Sequence, residues 1–332
     1  HPIYLDKFLE GAIEVDLDAL CDGTDVYIGG VMEHIEMAGI HSGDSACVIP
    51  PYSLSENVVN TLQDIATKLA LRLGVKGLLN IQFAIKDQVV YVIEANPRAS
   101  RTVPFVSKAT GVPLAKAAAR IMAGEKLGRL GLPAHKSNPN YYCVKEAVMP
   151  WGRFPGARVI LGPEMKSTGE VMGIAPTVPA AYAKTQFAID YAIPEGGLAF
   201  VSVNDGDKRA IVSLIRDVKR MGFGIVATQG TAKVLRASGI DCLEVSKIHE
   251  ANAAEGEGER PSALDLIRDG KISLIINTPF GTATRSDGYE IRSAAVRHGI
   301  CHTTTLAGAQ AMIAGMEVAR QGTLNVIALQ DL

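Results

Sequence analysis

Val92-Ile93-Glu94-Ala95-Asn96-Pro97-Arg98-Ala99-Ser100-Arg101 decides how this chain reads. The apolar run from Val89 to Ile93 predicts a strand that delivers a carboxylate at Glu94, a carboxamide at Asn96 and then two guanidinium groups. Strand side chains alternate faces, so Glu94 and Asn96 share one side. Oxygen ligands of this kind suit a hard cation such as Mg²⁺, which keeps its remaining positions for water and phosphate oxygens. Asn96-Pro97 favours a turn out of the strand. Arg98 and Arg101 then sit on a loop as planar forks for phosphate or carboxylate oxygens. The plainer alternative makes Glu94 an edge carboxylate balanced by its neighbouring arginines.

Working outward, Leu79 to Ile85 predicts the preceding strand and Lys86-Asp87-Gln88 a short hairpin connection. Closing that hairpin carries Gln82 toward Glu94 and adds a third oxygen. Further upstream, Ala12 to Leu20 alternates apolar with acidic residues and predicts a half-buried strand, and Val26 to Ile35 predicts a second with a bulge at Gly29-Gly30. Ser55 to Leu73 places Val58, Leu62, Ile65, Leu69 and Leu73 on one helix face, with Ser55 as its cap. Pro113 to Met122 predicts an alanine-rich helix.

From about 130 to 195 the texture changes, with prolines at Pro133, Pro139, Pro150, Pro155, Pro163, Pro176, Pro179 and Pro194. This predicts a connecting region with short strands (Tyr142 to Met149) and one helix (Pro179 to Ala188), closed by a linker at Pro194-Glu195-Gly196-Gly197. Beyond it, strands at Leu198 to Val203, Gly224 to Thr228, Cys242 to Val245 and Ser273 to Asn277 alternate with helices at Lys208 to Met221, Thr231 to Ser238, Ala263 to Arg268, Tyr289 to His298 and Thr305 to Met316. That alternation predicts a parallel sheet with helices on both faces. Ala253 to Arg260 reads as a mobile loop.

Ligands of open parallel sheets bind beyond the carboxyl ends of the strands. The predicted ends carry Ser202 to Lys208, Thr228-Gln229-Gly230-Thr231, Ser246-Lys247 and Asn277-Thr278. Lys208, Thr228, Gly230, Thr231, Lys247, Asn277 and Thr278 therefore form a candidate anion pocket, although threonine and glycine after a strand are also ordinary turn and cap residues.

Composition narrows the classes. A formal net charge of -2 over 332 residues, without a basic block, argues against nucleic acid as the main partner. No apolar run approaches the roughly 18 to 20 residues of a membrane span. The start, His1-Pro2-Ile3-Tyr4-Leu5-Asp6, lacks the pattern of a signal peptide. Cys21, Cys47, Cys143, Cys242 and Cys301 are scattered without a Cys-x-x-Cys, which suits reduced thiols, and the histidines form no zinc motif. The expectation is a soluble cytoplasmic protein.

The hairpin with its Glu-x-Asn-Pro-Arg resembles the metal-binding core of ATP-grasp ligases. Asn96-Pro97-Arg98-Ala99-Ser100-Arg101-Thr102-Val103-Pro104-Phe105-Val106-Ser107-Lys108-Ala109-Thr110-Gly111 more narrowly resembles the large chain of carbamoyl phosphate synthetases. So do Ala12-Ile13-Glu14-Val15-Asp16 and the stretch from Glu33 to Ser45. The C-terminal third is similar to the methylglyoxal-synthase-like fold through Ala227-Thr228-Gln229-Gly230-Thr231-Ala232 and Ile275-Ile276-Asn277-Thr278-Pro279-Phe280-Gly281.

The resemblance implies an α/β protein: residues 1–130 as the C-terminal, antiparallel part of an ATP-grasp fold, 131–195 as its connecting region, and 196–332 as a Rossmann-like allosteric domain. It implies ATP with Mg²⁺ or Mn²⁺ as cofactors and phosphorylation of carbamate to carbamoyl phosphate, for arginine and pyrimidine biosynthesis. Metal would sit on Gln82, Glu94 and Asn96, and Arg98 and Arg101 would hold carbamate or the transferring phosphate. Lys7, Leu9, Glu14, Gly39, Ile40, His41 and Ser42 would line the nucleotide. Glu36, Asp44 and Glu146 would hold an amino-acid activator, with Thr304 or Thr305 reaching across. The C-terminal domain would bind a nucleotide or amino-acid effector. It lacks the Gly-Asp loop of lyases of that fold, and Pro279 stands where some relatives have a second hydroxyl. Expected partners are a glutaminase small chain and a possible second copy, with no nucleic acid and no membrane. Nothing before His1 supplies the glycine-rich loop that closes over ATP, so the chain is expected to carry half an ATP site and to be inactive alone. The other readings are an effector-binding module with a non-catalytic ATP-grasp remnant, and a carboxylase subunit, against which the C-terminal domain argues.

Overall fold

A computed structural model describes residues 3, 9, 11–36, 38–133, 140–153, 161–189, 193–246, 262–278, 281–322 and 324–331. The first part builds a seven-stranded antiparallel sheet from β1 (Ile13–Asp22), β2 (Val26–His34), β3 (Cys47–Ile49), β4 (Lys76–Lys86), β5 (Val89–Asn96), β6 (Tyr142–Val148) and β7 (Gly169–Ala175). Their spatial order is β5-β4-β1-β2-β3-β6-β7. β6 and β7 therefore extend this sheet from within the proline-rich stretch.

Both faces of the sheet are covered, by different elements. Helix α1 (Glu56–Arg72), capped by Ser55 accepting from the Val58 amide, packs on one face against Val15, Leu17, Ala19, Leu79, Ile81, Phe83 and Ile85. On the other face α2 (Val103–Thr110) and α3 (Leu114–Met122) pack against Leu20, Met32 and Leu78. β1 is thus buried on both sides, not half-buried as its alternation predicts, and Asp16 and Asp18 are 0% exposed. An alternating strand signals one apolar face and leaves open whether the polar face meets water or polar partners. The predicted bulge forms: the β1–β2 register steps from Asp18↔Gly30 to Ala19↔Ile28, leaving Gly29 unpaired. A Cβ there would lie 2.8 Å from the Leu114 side chain and 3.0 Å from the Asp18 carbonyl, so only glycine admits α3 this close.

The second part is a five-stranded parallel sheet of β8 (Leu198–Val203), β9 (Gly224–Thr228), β10 (Leu243–Val245), β11 (Ile272–Thr278) and β12 (Cys301–Thr303), in the order β10-β9-β8-β11-β12. Its helices are α5 (Lys208–Arg220), α6 (Gln229–Ala237), α7 (Ala263–Arg268), α8 (Gly281–Arg297) and α9 (Leu306–Arg320). Helix α8 begins eight residues before the predicted start at Tyr289. The predicted loop at Ala253 to Arg260 lies outside the described residues.

The two sheets share a core. Helix α4 (Val178–Ala188) packs against both β7 and α9, and one apolar cluster runs from Val48, Val144 and Tyr182 to Ile211, Ile276 and Met312. Thr305 Oγ1 donates to the Ile35 carbonyl at 3.3 Å, and Arg320 donates to the Glu195 carbonyl. All five cysteines are free. Among the described residues no helix is long and apolar enough to cross a membrane.

At the end of β1, Asp22 fastens the turn that follows it and a distant segment. Its carboxylate accepts from the amides of Thr24 (2.8 Å), Asp25 (2.9 Å) and Leu127 (3.0 Å). Hydrogen bonds from the Asp25 and Leu127 amides, chiefly, hold its carboxyl below the usual carboxylate range. Such a group stabilises the fold above its unfolded pKa near 4 and loses that contribution as pH falls toward its folded value. Asp22→Ala is therefore expected to lower unfolding stability at neutral pH by about 1–3 kcal/mol, with the gap to the parent narrowing below about pH 4. Urea unfolding at the two pH values checks this, and a gap that widens in acid would contradict it.

Candidate functional site

The hairpin of β4 and β5 turns at Asp87-Gln88, both at positive φ, as a two-residue turn of this hand requires. Gln82 pairs directly with Glu94, and Asn80 with Asn96. Directly paired residues share a face, so Gln82, Glu94 and Asn96 stand together on the side that carries Asp16 and Asp18. Asn96 Nδ2 donates to Glu94 Oε1 at 2.7 Å, which leaves the Asn96 amide oxygen unused. One carboxylate beside two carboxamide oxygens fits a cation that brings its own phosphate oxygens and waters. Arg98 and Arg101 follow on the exposed turn before α2. Among the described residues the Arg98 side chain hydrogen-bonds to the adjacent Ala99 carbonyl alone, at 3.1 Å, so its fork stays largely available.

Behind these groups runs a buried polar row. His34 Nε2 pairs with Asp16 Oδ2 at 2.8 Å. Asn80 Nδ2 bridges Asp16 Oδ1 (3.2 Å) and Asp18 Oδ1 (3.0 Å). Asp18 then accepts from Ser100 Oγ (2.8 Å) and Thr102 Oγ1 (2.6 Å). Burial works against charge on His34, but the Cys47 sulfur and the Asp16 carboxylate outweigh it and raise its pKa well above the usual value.

Glu14 stands on the same face of β1. Its Oε2 accepts from the Gly39 amide at 2.9 Å, so two candidate nucleotide residues are joined. Burial, the larger effect, raises its pKa against the pull of His34 and that amide. The loop that follows is held at three further points: the His41 amide on the Gly162 carbonyl (2.8 Å), His41 Nδ1 accepting from the Gly43 amide (2.9 Å), and Lys145 Nζ on the Ser42 carbonyl (2.6 Å). Lys145 is almost fully buried and is a residue that sequence reasoning missed; a lone lysine inside an apolar strand, Tyr142 to Val148, is the signal that could have found it. Ile40 is buried, and Leu9 is half-buried near the start of the chain. Lys7 lies outside the described residues.

Glu36 and Glu146 come together behind this loop. Glu36 Oε2 accepts from the Ala46 amide at 2.6 Å, and Glu146 Oε2 from Gln186 Nε2 on α4 at 3.2 Å. Burial pushes both carboxyls up, and Glu36 pushes Glu146 further. The Thr305 bond to Ile35 brings α9 to the same place. Asp44 is turned to other work, accepting from the Lys166 and Ser167 amides at 2.8 Å each.

At the carboxyl edge of the parallel sheet, Thr228 Oγ1 lies 3.2 Å from Ser202 Oγ and 3.5 Å from Thr231 Oγ1, and Thr278 Oγ1 accepts from Asn204 Nδ2 at 3.2 Å. Lys208 Nζ sits 2.8 Å from where a Cβ of Gly230 would be, over the first turn of α6, and pairs with Asp205. Asn277 is 4% exposed, and its Nδ2 has no hydrogen-bond partner among the described residues. An ammonium over the first turn of a helix suits an anion. Lys247 lies outside the described residues.

Two family matches define the class: an ATP-binding domain joined to an MGS-like domain. Residues 1–130 match the family model described as carbamoyl-phosphate synthase L chain, ATP binding domain, and residues 210–304 match the MGS-like domain. Over its full length the chain is 53% identical to the carbamoyl phosphate synthase large chain of Methanothermobacter thermautotrophicus, covering 31% of that protein. It is 50% identical over its full length to the large chain of Pasteurella multocida, covering 30%. To the Methanocaldococcus jannaschii protein described as the large chain's C-terminal section it is 50% identical, with 100% of this chain and 54% of that one covered. The chain belongs to the carbamoyl phosphate synthase large-chain family and corresponds to its C-terminal portion. It spans about a third of the length of the full-length relatives, 30–31%.

The Glu36–Glu146 pair has a consequence for stability. A carboxyl whose folded pKa is raised favours folding at low pH, and that contribution is lost as pH rises through the folded value. Glu146→Gln keeps an acceptor for Gln186 and removes the charge. It is expected to flatten the decline in melting temperature from about pH 5 to pH 9. A parent-like slope in calorimetry would show that the pair does not carry it.

Proposed function

We propose that this chain belongs to the carbamate-phosphorylating half of a carbamoyl phosphate synthetase large chain, with an effector-binding domain behind it. The observation that carries this reading is the pairing of Gln82 with Glu94 beside Asn96, followed at once by Arg98 and Arg101. Gln82, Glu94 and Asn96 would hold Mg²⁺ or Mn²⁺, which when bound neutralises charge on ATP phosphates. Arg98 and Arg101 bind and orient carbamate or the moving phosphoryl group. The loop Gly39 to Ser42, fastened by Glu14 and Lys145, receives the nucleotide, with Lys7 and Leu9 at its adenine end.

The reading divides the chain at 1–130, 131–195 and 196–332. It makes Lys208, Thr228, Gly230, Thr231, Lys247, Asn277 and Thr278 the receptor for a phosphate-bearing effector. It gives Glu36 and Glu146, without Asp44, whose carboxylate is held by the Lys166 and Ser167 amides, to a small cationic activator at the junction with α9. A glutaminase small chain would supply ammonia to the complete enzyme in the cytoplasm, for arginine and pyrimidine synthesis.

Two measurements test it. Mn²⁺ titrated with ATP and followed by electron paramagnetic resonance should give a bound signal that Glu94→Ala weakens by about 1–3 kcal/mol. An unchanged signal in that variant removes the metal assignment. For the second site, calorimetry with nucleoside monophosphates should find one that binds, and Lys208→Ala should cost about 1–3 kcal/mol of that affinity. Equal affinity in parent and variant excludes Lys208 from the pocket.

A further inference from the structure

We infer that Asp18 is a positioning residue that fixes the arginine loop onto the sheet through Ser100 and Thr102. This rests on the proposed role of Arg98 and Arg101, but the anchoring itself stands on the geometry. Asp18 is 0% exposed in the middle of β1, and its partners Ser100 and Thr102 flank Arg101. Both hydroxyls point at its carboxyl group, at 2.8 and 2.6 Å, and at each other, at 2.7 Å. Thr102 stands at the N-cap of α2 yet makes no cap bond, because its hydroxyl is directed to Asp18. Among the described residues the loop between Asn96 and α2 is otherwise short of anchors: Arg98 bonds to its own turn, through the Ala99 carbonyl with its side chain and the Asn96 carbonyl with its amide. Without Asp18 the arginines would hang from an exposed turn at a sheet edge.

The three oxygen contacts of this ring need three hydrogens. The two hydroxyls supply two, so an ionised Asp18 leaves one contact without a proton. A protonated Asp18 closes the ring, donating to Thr102, which donates to Ser100, which donates back to Asp18 Oδ1. Burial, with the neighbouring Asp16 in support, pushes the Asp18 carboxyl up to about 6, while the Thr102, Ser100 and Asn80 bonds pull it down. Asparagine at this position brings the third hydrogen on its Nδ2 and keeps an oxygen for Ser100 and Asn80. It should therefore preserve the ring, whereas alanine abolishes it.

Hydrogen exchange of the amides from 98 to 106, free of ligand, reads the anchoring directly. Asp18→Ala is expected to accelerate exchange in that window roughly tenfold or more, with Asp18→Asn close to the parent. Should Asp18→Ala fail to fold, the double variant Ser100→Ala/Thr102→Val cuts the same bonds from the loop side and should show the same acceleration. In the full large chain that double variant should lower kcat about ten- to a hundredfold with the KM for ATP little changed, because the loop orients the transferring group and not the adenine end. Parent-like exchange in the double variant, or Asp18→Asn as damaging as Asp18→Ala, overturns the inference. Accelerated exchange with kcat unchanged would retain the anchor and overturn the role proposed for the arginines.

Discussion

The constraint on which this structure depends is the burial of carboxylates along one face of β1. An isolated buried carboxylate carries a penalty of several kcal/mol, which hydrogen bonds, opposite charge or a bound proton offset. Glu14, Asp16 and Asp18 therefore dictate what surrounds them: the Gly39 amide, His34 on β2, Asn80 on β4, and Ser100 and Thr102 before α2. These donors come from four separate stretches of chain. Once they are in place, α2 and α3 can cover only the apolar end of that face, at Leu20, Met32 and Leu78. Beside that buried polar row, Gln82 and Asn96 are half-buried and Glu94 is exposed. A polar, partly exposed site beside a well-packed core thus follows from where three acids sit on one strand.

The same logic links the site to the second sheet. Lys145 reaches the Ser42 carbonyl on one side, and the next residue, Glu146, faces α4 on the other, as strand alternation requires. Helix α4 packs on α9, whose first turn begins at the Thr305 that bonds Ile35. The path from the carboxyl end of the parallel sheet to the loop Gly39 to Ser42 is therefore one of direct contacts. Its middle contains two carboxyls whose charge the interior resists. A cation arriving there would change which of them is ionised, and so the electrostatics behind the loop.

Much of this was legible in the sequence where local rules act alone. The parallel strands fall where their apolar runs and turn residues place them, with Leu198–Val203 and Gly224–Thr228 matching the prediction end to end. Ser55 caps α1 and Gly29 makes the bulge. Long-range partners decide the elements that escaped. The strand β3 has three residues and is defined by pairing with β2 and β6. Helix α2 follows a threonine that caps nothing. The acids of β1 read as a wet face because their partners lie far away, 64 residues on for the Asp16–Asn80 bond and 84 for Asp18–Thr102. Periodicity reports how a strand is sided but carries no information about what later chain will bring to that side.

A single residue sets the parity of the whole site. The turn at Asp87-Gln88 puts Lys86 opposite Val89 and Phe83 opposite Val92. Carried on unbroken, that register would set Gln82 against Ile93 and Ile81 against Glu94. Glu94 would then point into the apolar layer under α1, where Ile81 and Phe83 lie. The register instead shifts between Gln82 and Phe83, leaving Ile93 unpaired, so Gln82 meets Glu94 and Ile81 meets Ala95. A one-residue slip reverses the facing of every side chain beyond it. Here the bulge applies that reversal to Glu94, Ala95 and Asn96 alone, so valines can pair along the α1 side of the hairpin while its end delivers oxygens to the opposite face. The bulged Ile93 stands on an edge strand and is 57% exposed, a position that disturbs no packing. The apolar run and the Glu-x-Asn that follows it are out of phase by one position, and the bulge lets one strand serve both the core and the site.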